Sequence, residues 1–343
     1  MKYLVYSDLQ ATDGSELCHL QPTVTLQHYR VTKFFDDIAK IYSDHACDGV
    51  VDLGDTTDDR SSIPLTTIEI LGAGLAKIPE GNHVKITGNH DQFLRNGSIS
   101  NKRLFDHKFT VIENRKIFTV GSKSVFYVSY PADYAELAAW LDHRVKTIRG
   151  PKLLFGHFEV EGALYHNSIA LKGIPPKLLE SFELVMLGHI HLPQSVTSKI
   201  HYIGSPFQQD WGEAGQLKRV AIVDTETAKV KWIPLEGYPE YQTITFEHLL
   251  QLPVDPDENR YKVILKTHAE AEQFFQHPAF NKAVAQYDYT EATEEKDEDN
   301  EESKDWSFSG LCRQYLKTVP PNKVGIELTD DEMIEMTDMV VNL

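Results

Sequence analysis

Residues 84–91 read Val-Lys-Ile-Thr-Gly-Asn-His-Asp, an apolar run that gives way to a glycine and three polar side chains. The run favours a short buried strand, and Gly88 suits a backbone that must turn sharply at the strand end. Four other apolar runs end in polar side chains in the same way, at Tyr3–Tyr6, Val50–Leu53, Leu153–Phe155 and Leu184–Leu187. The sequence therefore predicts five buried strands, each followed by polar side chains.

Longer amphipathic segments predict helices at Leu26–His45, Ile63–Lys77 and Ala132–Thr147. Strands and helices in alternation indicate an α/β core with helices covering a sheet. Two further runs, Thr110–Val120 and Ser124–Tyr130, predict extra strands. We therefore expect a mixed sheet or a two-sheet sandwich with its helices on the outside.

The pattern changes after Gly188, where short predicted strands follow one another without a long helix. A strand at Tyr261–Thr267 and a helix near Ala269–Phe275 then predict a small α+β unit. Asp288–Asp305 holds ten carboxylates against two lysines, which predicts a disordered linker. The predicted organisation is a main domain over residues 1–235, a capping domain over 236–287, the linker over 288–305 and a helical tail over 306–343.

The tail regains apolar residues and predicts two short amphipathic helices. Residues 308, 311, 312, 315 and 316 are apolar or aromatic at the spacing of one helix face. Thr329 followed by Glu332 resembles a capping box that opens the second helix. Two such helices behind a charged linker cannot form a domain alone, so we expect them to dock on a partner.

The chain of 343 residues carries a formal charge of −17 at pH 7. This excludes a protein that holds nucleic acid by a broad basic surface, so an anionic substrate needs a metal ion, a small basic patch or a partner. No apolar run approaches the roughly 20 residues of a membrane span, and three scattered cysteines argue against a disulfide framework. We expect a soluble cytoplasmic protein without a membrane contact.

The side chains at the strand ends are metal-binding types, namely carboxylates, amides and imidazoles. In chain order they are Asp8, Gln10, Asp55, Asp58, Asn89, His90, Asp91, His157, His189 and His191. Open α/β sheets bind ligands at the carboxyl ends of their strands, so these side chains should meet. Six or seven ligands exceed the needs of one ion and indicate two metals about 3.5–4 Å apart, bridged by a carboxylate such as Asp55.

Each of these residues has an ordinary explanation when it is taken alone. A single aspartate at a strand end commonly caps a turn, and a single histidine is more often a satisfied surface or core side chain. Gly88–Asp91 is more specific, and side-chain alternation points His189 and His191 the same way. Because the residues occur together and in order, coincidence is a poor explanation. The remaining histidines, including His19, are expected to be structural.

The ordered set resembles the calcineurin-like metallophosphoesterase superfamily, whose pattern is DxH, GDxxD, GNH(D/E), H and GHxH. The resemblance spans roughly residues 1–235. A further stretch is similar to the SbcD-type DNA-repair nucleases, a group that includes phage recombination nucleases: it comprises Tyr202–Pro206, Asp210–Glu213 and Val220–Asp224. Those nucleases work with an SbcC-type ATPase.

The resemblance implies two metal sites. The first would be held by Asp8, Asp55 and His191, and the second by Asp55, Asn89, His157 and His189. The family pattern has a histidine where this chain has Gln10, whose amide oxygen is a weaker ligand for a transition metal. We therefore expect weaker occupancy of the first site or a preference for harder ions there.

The resemblance also implies roles for the side chains around the metals. His90 would contact the scissile phosphate, with Asp91 orienting it. Asp58 would support a ligand or the turn without binding a metal itself.

These implications predict a Mn²⁺-dependent DNA exonuclease or endonuclease subunit, with Mg²⁺, Fe or Zn²⁺ as alternatives, acting in repair, recombination or replication. It would form a homodimer and bind an SbcC-type coiled-coil ATPase through residues 306–343. One alternative is a phosphatase or phosphodiesterase of small substrates, which the core motifs do not distinguish from a nuclease. Another is a scaffold protein that has lost turnover because of Gln10.

Overall fold

The computed structural model describes residues 1–14, 18, 24–94, 99–165, 169–252, 259–278 and 283–287. Its strands are β1 Lys2–Tyr6, β2 Gly49–Asp52, β3 Val84–Ile86, β4 Thr110–Ile112, β5 Arg115–Val120, β6 Lys123–Val128, β7 Lys152–His157, β8 Leu184–Gly188, β9 Gln194–Ser195, β10 Ile200–Tyr202, β11 Arg219–Asp224, β12 Lys229–Pro234, β13 Tyr241–Thr245, β14 Arg260–Leu265 and β15 Ala283–Tyr287. Its helices are α1 Leu26–Asp44, α2 Leu65–Lys77, α3 Tyr134–Thr147, α4 Phe246–Leu249 and α5 His268–Gln276. His19, the predicted linker and the predicted tail helices lie outside the described residues.

Two six-stranded sheets form the centre of the fold. The first has the order β12-β11-β1-β2-β3-β4, and the second has the order β5-β6-β7-β8-β10-β9. Neighbours from β1 to β4 pair in parallel, as do neighbours from β6 through β8 to β10. The carboxyl ends of the parallel strands in each sheet therefore lie at one edge.

Alternation along the strands explains why the two sheets stack. Val5 of β1 packs with Phe155 and Met186 of the second sheet in a buried apolar layer. The neighbouring residues Leu4 and Tyr6 face the other way, toward α1 and α2. Full burial of one such side chain stabilises the fold by about 1.5–3 kcal/mol, so a strand with two apolar faces is stable only between two layers.

The helices cover the outer faces of both sheets. α1 and α2 pack on the first sheet through residues such as Phe34, Phe35 and Leu71. α3 packs on the second through Leu137 and Leu141. The predicted sandwich with helices on the outside is confirmed, and the predicted helices α1 to α3 agree with the structure within two residues at each end.

One predicted strand is wrong. The run Thr110–Val120 forms two strands in different sheets: β4 pairs with β3 in the first sheet, whereas β5 pairs with β6 in the second. The polar pair between them, Glu113 and Asn114, marks the crossing. Glu113 accepts hydrogen bonds from Ser100 Oγ at 2.7 Å and Lys102 Nζ at 3.0 Å. A continuous apolar pattern does not reveal that a chain changes sheets, because both strands need buried faces.

A third sheet, with the parallel order β13-β14-β15, has an apolar cluster of its own with α4 and α5. Val263 and Phe274 are fully buried there. The predicted strand at Tyr261–Thr267 and the predicted helix near Ala269–Phe275 correspond to β14 and α5. The domain boundary at residue 236 stays a prediction.

Within the described ranges, none of the helices combines the length and the apolar character that a bilayer crossing requires. Cys18 and Cys47, the two cysteines in those ranges, are buried and not joined in a disulfide.

Candidate metal centre

Both sheets deliver polar side chains to the same place. Asp8, Asp55 and Asn89 follow β1, β2 and β3 of the first sheet, while His157 ends β7 and His189 follows β8 of the second. Backbone hydrogen bonds tie the first two loops together, because Asp8 N donates to Gly54 O at 2.9 Å and Gln10 N donates to Asp55 O at 2.9 Å. The predicted meeting of strand ends is therefore observed for these five residues.

The backbone at these strand ends is held in an uncommon conformation. Asp8, Gln10, Asp55 and His189 have positive φ angles of 54°, 44°, 53° and 85°. Left-handed conformations of non-glycine residues cost about 1–3 kcal/mol each and concentrate at functional sites. Gly88 is required for a related reason, since a Cβ there would lie 2.0 Å from Asp55 Oδ1. The strained backbone is thus part of what directs these side chains toward one another.

Four side chains form a compact donor cluster: Asp55, Asn89, His157 and His189. His157 Nε2 lies 3.2 Å from Asp55 Oδ2 and 3.2 Å from Asn89 Oδ1, and His189 Nδ1 lies 2.8 Å from Asn89 Oδ1. Ligand atoms of Asp55, His157 and His189 all lie within 4.8 Å of one another. Two oxygen ligands and two ring nitrogens that face one small space fit a divalent cation such as Mn²⁺, Fe²⁺ or Zn²⁺.

The second nitrogen of each clustered histidine is also held. His157 Nδ1 lies 2.7 Å from Leu53 O, a contact that needs a proton on Nδ1 and so directs Nε2 to the cluster. His189 Nε2 lies 3.2 Å from Glu159 Oε1. Metal-binding histidines typically donate their other ring nitrogen to an oxygen acceptor in this way. The arrangement therefore fits ligands that are already oriented.

The electrostatics of this cluster are those of a cation site. Burial raises the pKa of the Asp55 carboxyl, but His157, together with His90 and His189, leaves that pKa below its ordinary value. Burial lowers the pKa of His157, but Asp55, together with Asp8 and the Leu53 carbonyl, raises it to about 9. A metal ion would compete with the proton that Asp55 attracts to His157.

The other predicted metal ligands lie beside the cluster. His191 Nε2 lies 4.0 Å from Asp8 Oδ1, and the Asp8 carboxylate accepts a hydrogen bond from His189 N at 3.0 Å. Gln10 lines a cavity of about 330 Å³ that His191 and Asp58 also line. The structure thus brings Gln10 and His191 to one cavity and places His191 beside Asp8.

His90 is held by Asp58. His90 N donates to Asp55 Oδ1 at 2.7 Å, while His90 Nδ1 lies 2.6 Å from the Asp58 carbonyl oxygen and 3.4 Å from Asp58 Oδ1. The hydrogen bond to Asp58 is the main cause that raises the pKa of His90 to about 9. The contact with Asp58 therefore favours the protonated imidazole.

The role expected for Asp91 needs correction. Its carboxylate does not orient the His90 ring; it accepts hydrogen bonds from Asp55 N at 2.8 Å and Gly88 N at 3.0 Å, and it pairs with Lys85 Nζ at 3.0 Å. Asp58 orients His90, and Asp91 fixes the loops that carry Asp55 and Asn89.

Three supporting residues were not predicted from the sequence: Lys85, Glu159 and Glu213. Buried Glu213 accepts from His191 Nδ1 at 2.6 Å and pairs with Lys218 at 2.6 Å. Lys85 had a detectable signal, since a lysine within a buried strand needs a buried partner. Glu213 lies within the stretch that carries the nuclease resemblance, and Glu159 gives no local signal.

No protein-family model matches the chain. Exonuclease subunit 1 of Enterobacteria phage T4 is 22% identical over 293 residues, which cover 79% of this chain and 80% of that protein. The SbcD subunit of the SbcCD nuclease of Staphylococcus saprophyticus is 31% identical over 137 residues, which cover 36% of each protein. The chain thus spans most of the phage relative and about a third of the staphylococcal one.

Among solved structures, an archaeal phosphodiesterase is 14% identical with a TM-score of 0.34, and the match covers 68% of this chain and 100% of that one. This likeness is too low to carry an argument, so the fold assignment rests on the topology described above. The sequence relatives, in contrast, carry the names that the motifs predict. They confirm the resemblance of this chain to the SbcD-type nuclease subunits.

Proposed function

We propose that the chain is a metal-dependent nuclease that hydrolyses phosphodiester bonds in DNA. The observation that carries the proposal is the convergence of Asp55, Asn89, His157 and His189 from two sheets on one cation-sized space. The relatives are named as exonuclease and nuclease subunits, which supports a hydrolase of phosphodiester bonds.

Two divalent cations, with Mn²⁺ as the expected ion, would be held by the residues at the strand ends. Asp55, Asn89, His157 and His189 would hold one, and Asp8, Asp55 and His191 would hold the other, with Gln10 beside it. When bound, the cations supply charge neutralisation for the phosphodiester and an activated water as the nucleophile.

The protein's own contribution centres on His90. Its Nδ1 is engaged by Asp58, so Nε2 is the nitrogen that faces a substrate. A cationic imidazole there stabilises the charge that develops on the phosphate, and it donates its Nε2 proton to the leaving oxygen. Asp58 keeps the ring charged and oriented, while Asp91 holds the backbone of Asp55 and of Gly88 through hydrogen bonds.

Hydrolysis of linear duplex DNA and of a chromogenic phosphodiester, each with Mn²⁺, tests this function. We expect Mn²⁺-dependent cleavage of DNA that falls by about 10²–10⁴ in kcat in His90→Ala, the range of general acid catalysis. His143→Ala is the matched control, because His143 lies exposed on α3. Hydrolysis of the small diester alone would favour the small-substrate alternative, and no hydrolysis of either would favour the scaffold.

Gln10 makes the first metal site the weaker one in this proposal. Titration of Mn²⁺ into the wild type should show two unequal affinities, and Gln10→His should tighten the weaker one. Equal affinities at both sites of the wild type would contradict this expectation.

We further propose that the chain is the nuclease component of a complex with an SbcC-type ATPase, as a homodimer. The support is that both relatives are named as subunits and that residues 306–343 have the sequence of two amphipathic helices. Deletion of those residues should abolish co-purification with the ATPase, and full retention of binding would contradict the docking role.

A further inference from the structure

A cleft of about 790 Å³ opens beside His90, apart from the donor cluster. Thr57 and residues 59–63 of the loop after β2 form one wall, and described residues of the β3–β4 connection form the other. Small-ligand sites in proteins typically have volumes of about 300–1,000 Å³. The cleft therefore has room for a nucleoside.

The side chains around the cleft have the chemistry of a nucleotide site. Phe93 is 47% exposed and Ile99 is 59% exposed, although large apolar side chains are usually buried. Arg60 and Arg103 also line the cleft. Aromatic faces stack on bases and guanidinium groups bind phosphates, so the exposed ring and the two cations suit a nucleotide better than a neutral ligand.

The cations of this cleft differ in what they contact. Lys102 pairs with Glu113 at 3.0 Å, which ties it to the wall. In the part of the chain that the structure describes, no carboxylate pairs with the guanidinium of Arg60 or Arg103. Both therefore remain able to bind an anion, and the phosphates of a nucleic acid strand are the complementary charge.

The position of His90 connects the cleft to the reaction. His90 lines the cleft, and its Nδ1 faces Asp58. A phosphate placed at Nε2 would direct one of its attached nucleosides into the cleft. We propose that the cleft holds an unpaired nucleoside next to the scissile phosphate, with Phe93 stacking on the base and Arg60 and Arg103 binding flanking phosphates. This inference rests on the proposed function and specifies its substrate as a strand with an unpaired nucleotide at the cut.

Binding of a fluorescein-labelled single-stranded oligonucleotide, measured by anisotropy in EDTA with the full chain, tests the cleft without catalysis. Phe93→Ala should weaken binding on the order of tenfold, the effect of losing one base stack, while Phe93→Trp should bind like the wild type. Leu217→Ala is the control, because Leu217 is 88% exposed and does not line the cleft. An unchanged Kd in Phe93→Ala would overturn the proposal.

The salt dependence of the same binding tests the two arginines. Arg60→Gln and Arg103→Gln should each make the slope of log Kd against log salt shallower by about 0.7, the value for one phosphate contact to a single strand. Slopes that match the wild type in both variants would overturn the phosphate-binding role.

Cleavage assays on two substrates distinguish an error in the proposed role of the cleft from an error in the proposed function. In Mn²⁺, Phe93→Ala should lower kcat/KM for the oligonucleotide about tenfold more than for a chromogenic phosphodiester, which is too small to fill the cleft. Equal losses on both substrates would overturn the proposal, because Phe93 would then act on the catalytic centre as a whole. If the wild type cleaves neither substrate, the proposed function fails, and the binding measurements still decide the role of the cleft.

Discussion

Lys85, a lysine in the middle of a buried strand, links the loops that carry the candidate ligands. It is fully buried and pairs with Asp52 at 3.2 Å and with Asp91 at 3.0 Å. The same Asp91 carboxylate holds the backbone of Asp55 and of Gly88. A single buried cation thus offsets part of the charge of the two carboxylates, and the Asp91 carboxylate holds both loops.

Replacing Lys85 by methionine should be strongly destabilising, because it leaves Asp52 and Asp91 buried without a countercharge. Breaking one partner of a buried ion pair costs about 3–5 kcal/mol, and urea unfolding measures it. Lys123→Met is the matched control: Lys123 is also a buried lysine of a strand, but its partner Glu183 is 44% exposed. Its removal leaves no carboxylate buried without a countercharge, so we expect a smaller loss than in Lys85→Met. Equal losses in the two variants would contradict the role of Lys85.

The buried ring of His83 should make the free energy of unfolding depend on pH. Its Nδ1 accepts from Val50 N at 3.1 Å and its Nε2 donates to Pro79 O at 2.8 Å, so the folded state needs a neutral ring. Burial lowers the pKa of His83 below its ordinary value of about 6.5. Between that value and the lower folded pKa, the unfolded state binds more protons, and stability falls as the pH decreases. Well above pH 6.5 this contribution is constant.

Urea midpoints of the wild type and of His83→Gln, compared between pH 7.5 and 5.5, check this expectation. The variant should be less stable at pH 7.5, since it loses two hydrogen bonds, but its stability should fall less steeply with decreasing pH. An identical pH slope in both proteins would exclude His83 as a source of the dependence.

At the scale of elements, two glycines of α2 have opposite surroundings. A Cβ on Gly74 would lie 2.1 Å from the Phe35 ring of α1, whereas a Cβ on Gly72 would meet nothing within 4 Å. The close approach of α1 and α2 therefore depends on the missing side chain at residue 74 and not on that at residue 72.

Alanine at the two positions should change stability in opposite directions. Gly72→Ala should stabilise by about 0.5–1 kcal/mol, because alanine has the higher helix propensity. Gly74→Ala should destabilise by about 1–3 kcal/mol, the usual cost of overpacking. Thermal unfolding measures both, and a gain of stability in Gly74→Ala would show that α2 moves away from Phe35 without cost.

At the scale of the whole molecule, the donor cluster joins the two sheets. Asp55 and Asn89 come from loops of the first sheet, and His157 and His189 come from the second. A cation held by all four would therefore bind the folded state and have no comparable site in the unfolded chain. Its binding energy adds to the stability of the sandwich.

Addition of Mn²⁺ should raise Tm, and EDTA should reverse the shift. At a concentration one hundred times Kd the gain is about 2.7 kcal/mol. His189→Ala should lose most of this gain and His143→Ala should retain it. A Tm that does not respond to Mn²⁺ in the wild type would contradict the metal centre itself.

By itself, the sequence determined an α/β core, as a mixed sheet or a two-sheet sandwich, with its helices on the outside and polar side chains at the strand ends. The strands and their polar ends could be predicted because the signals are local. Side-chain alternation decides which faces of a strand are buried, and parallel strands have their carboxyl ends at the same edge of a sheet. Even Gln10, where the family pattern has histidine, was visible from its position two residues after Asp8.

Only the tertiary structure decided which side chain supports which. His90 is held by Asp58, 32 residues away in the chain, His189 by Glu159, 30 residues away, and His191 by Glu213, 22 residues away. The first pair joins the loops after β2 and β3 of the first sheet, and the second joins the loops after β7 and β8 of the second sheet. The third pair joins the loop after β8 to the segment that precedes β11. No local sequence pattern shows which residues of separate loops come together. For this reason the sequence pointed to Asp91, the neighbour of His90, whereas Asp58 is the residue that orients it.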